Sequence, residues 1–195
     1  MSPLPSIFFK KVELCLYDFL YLGEIPPAEA RIEVEHRIIE RASPDRNLIA
    51  EIQGDYLTSE RFDRGEKCFA ALHQGRAVSY IWGARGVVGV EEIGMAIRPA
   101  HTEFYLYDAF TLEPWRGRNL YPAVLRRSLE EGRKEGLERA LIFVDSGNTA
   151  SRRGVDKAGF FLFQTLIYKH LLFFARREFT PVTNGHAPAS FVSRP

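Results

Sequence analysis

A chain of 195 residues, 46% hydrophobic and 26% charged, has the size and composition of one ordinary globular domain. With 26 Lys and Arg against 25 Asp and Glu the net charge is +1, so nothing in the charge balance calls for a polyanionic partner such as nucleic acid. Two distant cysteines (Cys15, Cys68) and five scattered histidines (His36, His73, His101, His170, His186) make neither a disulfide framework nor a metal-ligand spacing, so no metal site is expected.

Residues 13–20 read as the first strand. Glu13 and Asp18 interrupt the apolar stretch 12–22, which argues against a secretory leader and for a cytoplasmic protein with no membrane attachment. Pro26-Pro27 breaks the chain, and residues 31–39 alternate as a second strand. Ser43-Pro44-Asp45 is a helix start, followed by Leu48, Ile49 and Ile52 at helical spacing over 46–53. A second short helix begins near Thr58. Residues 68–72 and 77–82 flank Gln74-Gly75-Arg76 and predict a hairpin. The Gly-rich run 83–90 reads as a loop and 92–98 as a short strand.

Residues 103–112 form the central strand, 120–132 the main helix, 140–144 a buried strand and 149–158 a short helix ended by Gly159. Gly132 and Gly136 suit a stop at the end of the main helix. Residues 160–164 and 166–173 close the sheet. The domain is therefore expected over 1–179, with a mobile tail rich in Pro, Ser, Asn and Gly over 180–195. Strands interleaved with helices, with antiparallel hairpins at both ends, predict an α/β fold with a mixed sheet.

The chemistry concentrates in Arg116-Gly117-Arg118-Asn119-Leu120-Tyr121. A strand runs into this turn and a helix runs out of it. The first turn of a helix has backbone N–H groups without intrahelical partners and carries partial positive charge. Arg116 and Arg118 add full charges, and Gly117 allows close approach of an anion. The alternative is a plain strand-to-helix connection with a solvated turn.

This run resembles the acyl-CoA-binding motif of the GNAT superfamily of N-acetyltransferases, Arg/Gln-x-x-Gly-x-Gly/Ala, with Asn119 and Tyr121 at its small positions. Asn148-Thr149-Ala150-Ser151 with Asp156-Lys157-Ala158-Gly159-Phe160 is similar to the family's second signature, and residues 67–82 to its strand–Gly-turn–strand hairpin. The resemblance covers residues 68–173. It implies a twisted mixed sheet flanked by helices and splayed in the middle for the cosubstrate, acetyl-CoA. It also implies cofactor contacts from Phe110, Thr111, Leu112, Arg116, Gly117, Arg118, Asn119, Leu120, Tyr121, Asn148 and Ser151. Asn148 is equally suited to capping the short helix.

The implied reaction is direct attack of a primary amine, on a small molecule or on a protein or peptide, on the acetyl thioester. The family's usual acid and base positions fall on Val155 and Phe143, which carry no titratable group. Candidate catalytic residues are Asp108, a carboxylate on an apolar and aromatic strand, with a salt bridge or a hydrogen bond to a neighbouring turn the alternative, then Tyr105 and Tyr107 as acids or substrate-stacking rings, with packing the alternative for both. Glu91, Glu92 and Glu103 are weaker, and a water chain could replace any of them. Tyr80, Trp82 and the 83–90 loop are candidate acceptor-pocket walls, with packing the alternative for Trp82.

Other readings keep the fold but use a longer acyl, carrier-protein or aminoacyl donor, or lose catalysis and retain acyl-CoA binding. A nucleic-acid module would use Arg116, Arg118, Arg126, Arg127, Arg133 and Lys134, although acids at helical spacing offset much of that run. The aromatic residues Phe160, Phe161, Phe163, Phe173 and Phe174 suit either a homodimer interface or burial within one chain.

Overall fold

The computed structural model describes residues 9–171, 174–183 and 185–193. Eleven strands and four helices alternate: β1 (Phe9–Leu20), β2 (Glu35–Ile39), α1 (Arg46–Gln53), α2 (Asp55–Asp63), β3 (Lys67–His73), β4 (Arg76–Ala84), β5 (Val88–Val90), β6 (Met95–Ile97), β7 (Glu103–Thr111), α3 (Leu120–Lys134), β8 (Arg139–Asp145), α4 (Thr149–Lys157), β9 (Phe161–Leu171), β10 (Phe174–Pro181) and β11 (Phe191–Ser193). Eight strands form one sheet in the order β10-β9-β1-β8-β7-β4-β3-β2, and β11-β6-β5 form a small second sheet. Among the described strands only the central pair β7–β8 is parallel; α3 makes the crossover between them.

Three cores follow from this layering. One face of β1, β7 and β8 packs on Leu120, Val124, Leu125 and Leu129 of α3 and Val155 of α4. The other face, through Leu14, Leu16 and Tyr105 and joined by Leu166 of β9, packs on Val88, Val90, Ile93 and Ile97 around the small sheet. Ile49 of α1 and Phe62 of α2 seal the far end of β3 and β4 around Trp82. The β3–β4 hairpin turns on Gln74 and Gly75, both at positive φ, as a two-residue loop matched to strand twist requires.

Several sequence expectations move. The 83–90 run is not simply a loop: β4 continues through Ala84, and Val88–Val90 pair with β6, a contact that only the tertiary arrangement supplies. Residues 91–93 form a 3-10 turn, so the strand expected over 92–98 shrinks to Met95–Ile97. β9 is continuous across Thr165. The end of the expected strand 166–173 and one of the proposed interface aromatics, Phe173, lie outside the described residues. Phe160 and Phe163 are buried within the chain, whereas Phe161 and Phe174 are exposed.

The described residues 186–193 of the segment read as a tail pack against the domain. His186 Nδ1 lies 2.8 Å from Oδ2 of the fully buried Asp18, and Arg139 reaches both Asp18 and the Ala187 carbonyl. The Arg98 amide donates to the Ser190 carbonyl at 2.9 Å, and Phe191–Ser193 then pair with β6.

Gly132 does not end α3; Gly136, at φ +72°, follows the helix end. Gly132 is buried in the last turns of the helix because the Tyr21 hydroxyl occupies the space a Cβ would fill. That hydroxyl is buried with no hydrogen-bond partner among the described residues. Gly132→Ala gains about 1 kcal/mol of helix propensity but overpacks a site where such insertions cost about 1–3 kcal/mol. The expected result is a lower melting temperature for Gly132→Ala, recovered in Gly132→Ala/Tyr21→Phe. Equal melting of all variants would contradict this packing.

Candidate active site

The parallel pairing of β7 with β8 stops at Leu106↔Ile142. Beyond it, Phe143, Val144 and Asp145 of β8 pair only with β1, and β7 pairs only with β4. The sheet therefore opens along residues 107–111, leaving one edge of β7 without a strand partner among the described residues. The departure coincides with a bulge: the β4–β7 register shifts between Tyr80 and Trp82, and Asp108 sits at φ +48°. Aspartate is among the few non-glycine residues that tolerate this left-handed geometry.

The opening leads into a cleft of about 630 Å³. Ala109, Phe110 and Thr111 of β7 form one wall, residues 115–117 of the turn and 119–122 at the start of α3 the floor, and α4 the other wall. The turn is pinned from several sides. Arg116 Nε donates to the Thr111 carbonyl at 3.2 Å, Asn119 Nδ2 to the Glu29 carbonyl at 2.7 Å, and the Arg31 amide to the Arg118 carbonyl at 2.8 Å. Asn119 precedes α3 at φ +59° and offers it no side-chain cap, so the first amides of the helix are left to a ligand or solvent. Gly117 sits at φ +76°, and the space a Cβ would take there is open.

Tyr121 stands where a small residue was expected, and α4 makes room for it. A Cβ at Gly154 would come within 2.5 Å of its ring. Ser151 Oγ donates to the Tyr121 hydroxyl at 3.3 Å. Burial pushes the phenol up to about 12 against that hydrogen bond, so it adds no charge at neutral pH. Asn148 Oδ1 accepts the Ser151 amide at 3.0 Å, so Asn148 caps α4 while also lining the cleft.

Of the residues singled out in sequence, Phe110, Thr111, Arg116, Gly117, Asn119, Leu120, Tyr121, Asn148 and Ser151 line this cleft. Leu112 packs against the main core instead. Arg118 turns its guanidinium onto the Trp115 ring, 5.0 Å from the centroid. Arg31, Arg153 and Lys157 also line the cleft and were missed. The i,i+4 spacing of Arg153 and Lys157 within the second signature was a usable signal; Arg31 arrives from a distant loop and offered none.

The candidate catalytic residues separate. Asp108 is on the bulge, with Oδ2 held 2.5 Å from Arg61 Nη1 and 2.6 Å from Gln53 Nε2. Arg61 is buried between the rings of Trp82 and Tyr107, 5.0 Å from each centroid. These contacts tie α1 and α2 to the point where the sheet opens. Tyr105 is a core residue, stacked on Tyr107 and packed on Phe143; burial drives its phenol far up, and the neighbouring Glu92 and Tyr107 add to it. The Tyr107 hydroxyl is committed to Glu66. None of the three candidates lines the cleft itself: Tyr105 and Tyr107 are held away from it in the core, which corrects their placement as acid groups there, whereas Asp108 directly precedes Ala109, the first β7 residue of the cleft wall.

The expected acceptor walls Tyr80 and Trp82 are buried in the α1–α2 core, where Trp82 Nε1 donates to Gln53 Oε1 at 2.6 Å. Glu103 ion-pairs with Arg139. Arg126 and Arg127 pair with Glu130, and Arg126 also with Glu29. Among the described residues no three His, Cys, Asp or Glu side chains converge to hold a metal, and no described helix is long and apolar enough to cross a membrane.

The model of the acetyltransferase (GNAT) family matches residues 33–160. No curated protein matches the chain. Among solved structures, a GNAT-family acetyltransferase from Colwellia psychrerythraea superposes with a TM-score of 0.56 at 16% identity, covering 86% of this chain and 58% of that one. A GCN5-related N-acetyltransferase from Sphaerobacter thermophilus gives a TM-score of 0.58 at 16% identity, over 87% and 53% respectively. This chain thus spans little more than half the length of either, and the likeness is one of fold.

Proposed function

The chain belongs to the GNAT acetyltransferase family, and from that premise we propose that it moves an acetyl group from acetyl-CoA to a primary amine of a small molecule or of a protein or peptide. The observation that carries this reading is the unpaired edge of β7 over residues 107–111, which opens beside the start of α3 in a cleft lined by four cations. Acetyl-CoA supplies the activated acyl carbon and a thiolate leaving group.

The amides at the start of α3, with Gly117 and Arg116, bind the pyrophosphate. Phe110 and Thr111 offer backbone groups to the pantetheine arm as to an added strand. An amide near the bulge polarises the thioester carbonyl as a fixed donor. Asp108, clamped by Arg61 and Gln53, orients the incoming ammonium and accepts its proton directly or through water. The buried, unpaired Cys15 and Cys68 fit a reducing compartment, so we place the protein in the cytoplasm.

A second reading, acyl-CoA binding without turnover, draws on Val155 and Phe143: the former is fully buried, the latter packs on Tyr105 and Phe191. Both readings require the cosubstrate. Acetyl-CoA at ~100 times its dissociation constant should stabilise the fold by about 2.7 kcal/mol, a rise of roughly 5–10 °C in melting temperature for a chain of this size. No shift on folded protein would remove both readings.

A further inference from the structure

The cleft holds more positive charge than a pyrophosphate needs. Arg31, Arg116, Arg153 and Lys157 all line it, and no acidic residue does. None of the four has a carboxylate partner among the described residues, although cations elsewhere on the chain are widely paired: Lys67 alone meets Glu40, Glu131 and Glu135. The four come from three separate elements. Arg116 belongs to the turn that feeds α3, and its Nε is fixed on the Thr111 carbonyl. Arg31 belongs to the β1–β2 connection and is placed by the bond from its own amide to the Arg118 carbonyl. Arg153 and Lys157 lie one turn apart on α4, so both present to the wall facing α3. Like charges at that spacing repel, and an anion across the cleft relieves the repulsion.

The start of α3 with Arg116 already suffices for the two charges of a pyrophosphate. That leaves Arg31, Arg153 and Lys157 facing the same cleft. We propose that these three form a subsite for a phosphomonoester, the 3′-phosphate of the CoA nucleotide, which carries close to two further negative charges. The inference rests on the acyl-CoA reading above and goes beyond it by fixing the donor class. A carrier-protein thioester reaches its enzyme through a single phosphodiester with no 3′-phosphate, so it would leave the three cations unmatched. The site therefore selects nucleotide-bearing thioesters over carrier-bound ones, and CoA over 3′-dephospho-CoA. Arg153 and Lys157 are both exposed, so replacing them leaves the core untouched.

The test is calorimetric titration of CoA and of 3′-dephospho-CoA into wild-type protein and Arg153→Ala/Lys157→Ala. Wild type should prefer CoA by roughly tenfold or more, as loss of charge-assisted contacts implies. The double variant should lose that preference while its dephospho-CoA affinity stays within about twofold of wild type. Equal wild-type affinities for both ligands would overturn the subsite and leave the acyl-CoA reading standing. So would a double variant that weakens both ligands equally. Failure of wild type to bind either ligand would overturn both.

Discussion

Gly117→Glu should abolish acetyl-CoA binding. Gly117 lines the cleft at φ +76°, and open space surrounds it, so a glutamate side chain has room to enter beside the start of α3. Two unit charges 4 Å apart at an effective dielectric of 20 interact by about 4 kcal/mol. Screening by solvent and by Arg116 reduces this, but about 2.7 kcal/mol is still a 100-fold loss of affinity. The left-handed backbone also resists any side chain, so Gly117→Ala is the control: it shares the strain without the charge. The account expects Gly117→Ala to bind within about fivefold of wild type and Gly117→Glu to weaken by at least about 100-fold in calorimetric titration. Equal affinities would place the anion site elsewhere.

Asp108→Asn should separate turnover from binding. Asparagine also tolerates positive φ, so the bulge is preserved. Its amide can still meet Gln53, but the charge facing Arg61 is lost and the proton acceptor with it. General-base contributions of 10²–10⁴ set the scale, so kcat should fall by about 100-fold or more while acetyl-CoA affinity stays within about twofold. Stranding the buried Arg61 guanidinium should also cost about 1–3 kcal/mol of stability, so activity is compared well below the variant's melting temperature. An unchanged kcat with lowered stability would make Asp108 a structural clamp only. Asp108→Ala, which loses the left-handed tolerance as well, should be less stable than Asp108→Asn.

The parts of the site that sequence exposed are local in the chain. A strand, an Arg-Gly-Arg turn and a helix lie within 103–134, so adjacency along the chain already implies the anion site at the start of α3. Asn148 and Ser151 were legible for the same reason: a helix cap and its partner sit three residues apart. Asp108 stood out as an acid on an apolar strand. What holds it did not: Gln53 is 55 residues away, and Arg61 lies on a different helix. The bulge itself has no sequence mark beyond the tolerance of aspartate for positive φ.

Tyr105 and Tyr107, two residues apart on β7, share one face and stack there, and that face turns into the core rather than into the cleft. Tyr105 is buried there, while the Tyr107 hydroxyl meets Glu66, which is brought in after α2. Tyr121 looked like a defect in the motif. It is half of a large–small pair with Gly154, which sequence could not reveal because α3 and α4 are separated by β8. The β5–β6–β11 sheet was invisible for a related reason. Its three-residue strands have no periodicity of their own, and β11 depends on His186 and Arg139 converging on a buried Asp18.

The central claim is acyl transfer from CoA to an amine at the opening of β7. The most direct measurement is steady-state release of free CoA thiol from acetyl-CoA by wild-type protein across a panel of small-molecule and peptide amines, with Asp108→Asn and Gly117→Glu run in parallel. The account predicts amine-dependent release with at least one acceptor class, recovery of the acetylated amine, and loss of both in the two variants. Acetyl-CoA binding with no amine-dependent release across the whole panel, or release unaffected by either substitution, would contradict it.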